Sequence, residues 1–201
     1  MPLCGSREHQ RKTCALYGVY PGLLASPTAT AFRLLHFGAV KAMEAAVNQI
    51  ANVDQVSLDY FAEGHDQKYS WLVLKADVQN LQLFDNFAHG ILILHVLEHI
   101  PDLEKAMAEL KRVLHPCGWL LVEVPCSFDD ESRSHTVDCR DFTSDRERSD
   151  CSGQRDHVWK LNCEDFKRSL SSAGFKTALM LLNTGDLPED VLGAFKFDGH
   201  P

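Results

Sequence analysis

The stretch GILILHVLEHIPDLEKAMAELKRVLHPCGWLLVEVP, residues 90–125, reads as a buried strand, an amphipathic helix and a second buried strand. Ile91, Leu92, Ile93 and Leu94 form an apolar run too short for a helix. Leu103, Met107, Leu110 and Leu114 then recur at spacings of four, three and four, which puts them on one helix face, while Glu104, Lys105, Glu109, Lys111 and Arg112 occupy the other. The turn residues His115, Pro116, Cys117 and Gly118 end the helix before a second apolar run at 119–124. Strand, helix and strand in that order make one βαβ unit of a parallel α/β sheet. Because ligands of such sheets bind at the carboxyl ends of the strands, the candidate site begins at residues 95–99.

The same grammar extends in both directions. Residues 32–37 read as a first strand, 39–50 as a helix of good helix formers, and 53–58 as a second strand that ends at Asp59. Residues 71–74 form a third apolar run leading into Lys75, Ala76 and Asp77, and Phe84, Asp85 and Asn86 make a turn before the strand at 90–94. Residues 127–156 alternate acidic and arginine residues with few apolar ones, which predicts a long solvated loop over the strand ends, a candidate lid. Asn162 is placed as the N-cap of a helix that runs to Ala173 and stops at Gly174, with a strand at 175–182 after it. Residues 1–31, polar and then rich in Gly, Pro, Ser and Thr, read as a helix and linker ahead of one domain at 32–201.

The 201 residues suffice for one α/β domain, and 45% hydrophobic with 24% charged residues is an ordinary globular balance. A net charge of −8 and a pI near 5.6 argue against a broad nucleic-acid surface, the local basic patch being only Arg7, His9, Arg11 and Lys12. Seven irregularly spaced cysteines predict no disulfide framework, and with no signal-like start they point to a reduced, cytoplasmic location. No run approaches the ~18 apolar residues of a membrane span.

Several blocks resemble the type-11 class I S-adenosylmethionine-dependent methyltransferases. HVLEHIPD followed by A-x-x-E-L-x-R-V-L-x-P-x-G-W is similar to that family's pattern. The opening PLCGSREHQR resembles the C-P-x-C-G-S-x-E-R-H-R start of one branch, and Leu35-His36-Phe37 resembles the L-H-F of its cofactor loop. Residues 153–158, GQRDHV, and Asp165-Phe166 followed by Ala173-Gly174-Phe175 match the branch's later blocks. The resemblance implies a Rossmann-like α/β sandwich with a mainly parallel sheet. It also implies a final antiparallel strand, which the ending Gly199-His200-Pro201 leads us to expect is missing.

The resemblance implies S-adenosyl-L-methionine as cofactor, with His36, Phe37, Gly38, Asp59, Asp77, Val78, Leu94 and His95 around it. Asp59, at the tip of the second strand, is placed to accept the ribose hydroxyls, or simply to cap the turn that follows. Gly38 offers close backbone approach beneath the cofactor. Asp77 is placed to accept from the adenine amino group, with Val78 supplying a backbone contact, or to serve as a turn residue. His95 and His99, four apart, would share a face if helical, as metal ligands or an acid/base pair do. Pro101 instead sets the helix start beyond them, leaving His95 in the loop as a candidate base and Glu98 and His99 as local packing. His157 is the candidate on the substrate side. No metal is expected, since Cys4 lacks the C-x-x-C partner, Met1 standing in its place, and His9 and Cys14 do not complete four ligands.

The chain departs from the branch at Ala39 and Val40, where Pro and an acidic residue follow L-H-F, and at Ala88-His89, where Phe-Asp is usual. The expected function is methyl transfer to an acceptor the sequence does not identify. A catalytically silent binding or regulatory relative is the alternative, and a truncated product of a longer frame is a third reading, drawn from the broken C-x-x-C and the ending.

Overall fold

The computed structural model describes residues 31–38, 47–48, 50–61, 73–127, 135–180 and 192–196. Most of the helix expected at 39–50, the leading segment with Cys4, His9 and Cys14, and Val40 lie outside them.

Seven strands form the main sheet: β1 (Phe32–Phe37), β2 (Val53–Asp59), β3 (Val73–Lys75), β4 (Ala88–Leu94), β5 (Leu114–Glu123), β9 (Ala178–Met180) and β10 (Leu192–Lys196). Their spatial order is β3-β2-β1-β4-β5-β10-β9. The first five run parallel, with Leu35 beside Val56 on one flank and Ile91 on the other. Ile91, Leu92 and Ile93 are fully buried, as are Leu34, Leu35 and Leu120. Such unbroken burial, without alternation, marks a parallel sheet covered on both faces.

β10 is antiparallel to both β5 and β9, pairing Ala194 with Leu121 on one side and with Ala178 on the other. The expectation that the last antiparallel strand is missing is therefore wrong. Its weak pattern, LGAFK, contains no long apolar run, and only the two neighbouring strands make it a strand.

Helix α1 (Leu103–Val113) connects β4 to β5. Asp102 caps it by accepting the Lys105 N–H at 3.0 Å, and Ala106, Met107, Leu110 and Val113 form its buried face. Part of the charged face is tied down by tertiary contacts. Glu109 accepts the Leu81 N–H, and Arg112 donates to the carbonyls of Leu81 and Leu83 and to Asp85, so the pair clamps the segment before β4. Residues 115–118 are not a free turn: β5 begins at Leu114, opposite Ala88, and the register jumps so that Gly90 faces Trp119. This bulge leaves no room for a side chain at Gly90, where a Cβ would sit 2.7 Å from the Trp119 ring.

The segment expected to be a plain loop carries real structure. A small second sheet of β6 (Cys126–Ser127), β8 (Trp159–Asn162) and β7 (Val137–Asp138) has β8 at its centre. Between β7 and β8 lies helix α2 (Asp145–Ser152), with a capping box between Ser144 and Glu147 and Gly153 as its left-handed stop. No residue of α2 is buried, so it has no apolar stripe for periodicity to reveal. Disulfides join Cys126 to Cys163 and Cys139 to Cys151, which corrects the expectation of no framework and removes the cysteine argument for a reducing compartment. Helix α3 (Cys163–Ser172) follows, capped by Asn162, which accepts the Glu164 and Asp165 N–H groups at 3.0 Å each. No helix among the described residues is long and apolar enough to cross a membrane.

Candidate cofactor cleft

The strand order reverses between β1 and β4, and a cleft of about 550 Å³ opens there at the carboxyl ends. Its walls come from the tips of four strands: Phe37 and Gly38 after β1, Asp59 after β2, Asp77 and Val78 after β3, and His95 after β4. His99, Ile100, Pro101 and Asp156 close one side, and the exposed rings of Tyr60 and Phe61 flank the other.

Of the residues singled out from sequence, Phe37, Gly38, Asp59, Asp77, Val78 and His95 meet in this cleft, whereas His36, Leu94 and His157 do not line it. His36 is a core residue, 1% exposed. Its ring contacts the Gln55 amide at 3.2 Å, and burial pushes its pKa down to about 3, so it stays neutral. Leu94 lies beneath Gly38, its carbonyl 3.8 Å from where a Cβ on Gly38 would be.

Gly38 adopts φ +62°, and a Cβ there would meet Val96 Cγ2 at 3.1 Å. Only glycine takes this turn without strain, and the space left above the backbone is part of the cleft. Asp59 Oδ1 accepts the Phe61 N–H at 2.8 Å, and Asp77 Oδ1 accepts the Gln79 N–H at 2.9 Å. Both carboxylates thus stabilise a turn while facing the cleft, so the two readings of each residue are compatible.

His95 has an unusual left-handed backbone, φ +53°. Its N–H donates to the Glu123 carbonyl at 2.8 Å, and its ring lies between Glu98 (3.3 Å) and Glu123 (3.5 Å). Burial opposes charge on the ring, but hydrogen bonding to Glu123 and Glu98 outweighs it and raises the pKa to about 9. His95 is therefore an imidazolium at neutral pH, which suits it to hold carboxylates and not to take a proton.

Two blocks far apart in sequence meet here. Val158 N–H donates to the Glu98 carbonyl at 2.9 Å, Trp159 Nε1 to the Ile100 carbonyl at 2.7 Å, and Arg140 to the Pro101 carbonyl at 3.0 Å. The GQRDHV block is thereby docked on HVLEHIPD. Asp156 faces the cleft while His157 turns inward, the alternation of an extended segment. Ala88 and His89 lie at the opposite end of β4, where His89 Nδ1 accepts the Arg33 N–H at 3.0 Å. That departure bears on the β1–β4 seam and not on the cleft. Tyr60 and Phe61, just past the tip of β2, were not singled out from sequence, and of the Asp156-His157 pair it is Asp156 and not the chosen His157 that lines the cleft.

Residues 31–122, somewhat under half of the chain, match the family model described as a methyltransferase domain. In fold, the chain is similar to an S-adenosylmethionine-dependent methyltransferase from Archaeoglobus fulgidus, at 13% identity over 93% of this chain and 94% of that one, TM-score 0.63. It is similar to the YcgJ protein of Bacillus subtilis, at 13% identity over 94% and 100% of the two chains, TM-score 0.61. A third likeness is to the 1,6-didemethyltoxoflavin-N1-methyltransferase of Burkholderia thailandensis, solved with its toxoflavin ligand and S-adenosylhomocysteine. There the identity is 14% over 98% and 82% of the chains, with TM-score 0.62. No curated protein sequence matches the chain significantly. The match to the methyltransferase-domain model is thus confined to residues 31–122, and the likeness in fold to these methyltransferase structures extends over nearly the whole chain.

Proposed function

We propose that this protein binds S-adenosyl-L-methionine in the cleft at the β1/β4 switch point and transfers its methyl group to an acceptor. The observation that carries this reading is the convergence of Gly38, Asp59 and Asp77 from three strand tips on one cleft. The fit is specific. A glycine with φ +62° leaves space that a Cβ would fill, and two carboxylates stand at the wall as hydrogen-bond acceptors for a polyhydroxylated, amine-bearing ligand. The cofactor supplies a methyl group already activated by its sulfonium, so the chain has mainly to position and shield.

In this reading Asp59 holds the ribose, Asp77 and Val78 hold the adenine, and Phe37 and Gly38 support the cofactor from below. His95 acts as a positioning residue. As a cation it fixes Glu98 and Glu123 behind the cleft, a role different from the base that its place in sequence suggested. His157, buried behind the cleft and absent from its lining, supports the wall from within.

The test is calorimetric titration of the folded chain with S-adenosylmethionine and S-adenosylhomocysteine. Micromolar binding that weakens by about 1–3 kcal/mol in Asp59→Ala supports the reading. No heat and no thermal stabilisation at millimolar ligand would refute it and favour a silent relative that works by binding a partner.

A further inference from the structure

Behind the cleft wall, His99 Nε2 and His157 Nε2 both point at one carboxylate oxygen, Glu98 Oε1, at 4.0 and 3.9 Å. These separations are too long for hydrogen bonds and short enough for three atoms to share one ion. From this convergence we infer that Glu98, His99 and His157 form a binding site for a first-row divalent cation of zinc type.

Two further observations support the assignment. First, the tautomer of His99 is set from outside. Its Nδ1 lies 2.9 Å from the Asp156 carbonyl, which can only accept, so Nδ1 carries the proton and Nε2 presents a lone pair toward Glu98. A backbone carbonyl on the far nitrogen is the usual support of a metal-binding histidine. Without an ion, that lone pair faces a carboxylate directly.

Second, Glu98 is 0% exposed, and apart from the His95 ring, 3.3 Å from Oε1, its two oxygens have no hydrogen-bond partner among the described residues, so Oε2 is a buried acceptor left unsatisfied.

Two imidazoles and one carboxylate favour zinc or its first-row neighbours over magnesium or calcium, which prefer all-oxygen sites. Three protein ligands leave at least one coordination position for water or an acceptor atom. Because His99 also lines the cleft, the ion would stand in the cleft's own wall. The spacing of His95 and His99 suggested a different pair, whereas the convergent set includes His157, which is distant in sequence. The inference does not depend on the cofactor reading.

The test uses the full chain with its disulfides intact, its free thiols alkylated and metals removed by a chelator. Zn²⁺ is titrated against a chromophoric chelator, and Co²⁺ binding is followed by its visible ligand-field bands. We expect one equivalent bound, with Glu98→Gln and His99→Ala each weakening Zn²⁺ by about tenfold or more while circular dichroism stays unchanged. Glu98→Gln is near isosteric and His99 is partly exposed, so both should fold; His157→Ala then serves as the third ligand deletion. An alkylated chain that binds no Zn²⁺ at micromolar concentration overturns the proposal. So does undiminished Zn²⁺ binding in both folded variants. Titration with S-adenosylmethionine is a separate readout, so the failure of either proposal is distinguishable.

Discussion

Replacing Gly38 by alanine tests the most local claim about the cleft. At φ +62° an alanine pays about 1–2 kcal/mol of left-handed strain. Alanine also restricts the unfolded chain, which returns about 0.4–1 kcal/mol. The new Cβ would lie 3.1 Å from Val96 Cγ2, a contact tight enough that Val96 must shift. Forcing a methyl into a packed site costs roughly 1–3 kcal/mol. The net expectation is a loss of about 1–5 kcal/mol in urea unfolding, together with weakened S-adenosylmethionine binding. A double-mutant cycle with Val96→Ala separates the two causes. Removing the Val96 methyls relieves the contact but not the dihedral strain, so the double variant should be more stable than the summed single effects predict, by about 1 kcal/mol. A Gly38→Ala protein with wild-type stability and wild-type binding would refute both the turn geometry and the placement of the cofactor above it.

Two further outcomes are expected. Asp165 accepts the Thr136 N–H at 2.6 Å, and this bond, with Arg168 nearby, holds its pKa below the ordinary aspartate value. Its stabilising contribution is therefore present in full above that value and is lost as pH falls through the lower folded-state pKa. Urea midpoints measured downward from about pH 5 should fall less steeply in Asp165→Asn than in the wild type, and parallel curves would remove the effect. The Cys126–Cys163 and Cys139–Cys151 disulfides close loops of 37 and 12 residues. Chain-entropy reasoning gives about 3–4 kcal/mol to each, so reductant should lower the melting temperature markedly. A melt unchanged by reductant, with six or seven titratable thiols before it, would show that the cysteines are not bridged.

The central βαβ unit was legible because burial on both faces leaves unbroken apolar runs, and an amphipathic helix leaves its period in the chain. Residues 91–94, the buried face of α1 and the Asn162 cap are local signals, and local physics writes them into consecutive residues. Gly38, Asp59, Asp77 and His95 could be nominated for the same reason: each follows directly on a strand whose end was readable. β10 and α2 were not legible, one because LGAFK becomes a strand only between β5 and β9, the other because it buries nothing.

Tertiary structure alone decided everything that depends on distance through space. It paired cysteines 37 and 12 positions apart, and it sent His36 into the core although it stands beside the cleft-lining Phe37. It also made His95 a cation by setting it between Glu98 and Glu123, which lie on different segments. Above all it brought His157 to Glu98 across more than fifty residues, where the donor set is complete. Electrostatic strength and ligand geometry depend on separations of a few ångströms between side chains, and a one-dimensional sequence carries no record of those until the sheet has ordered its strands.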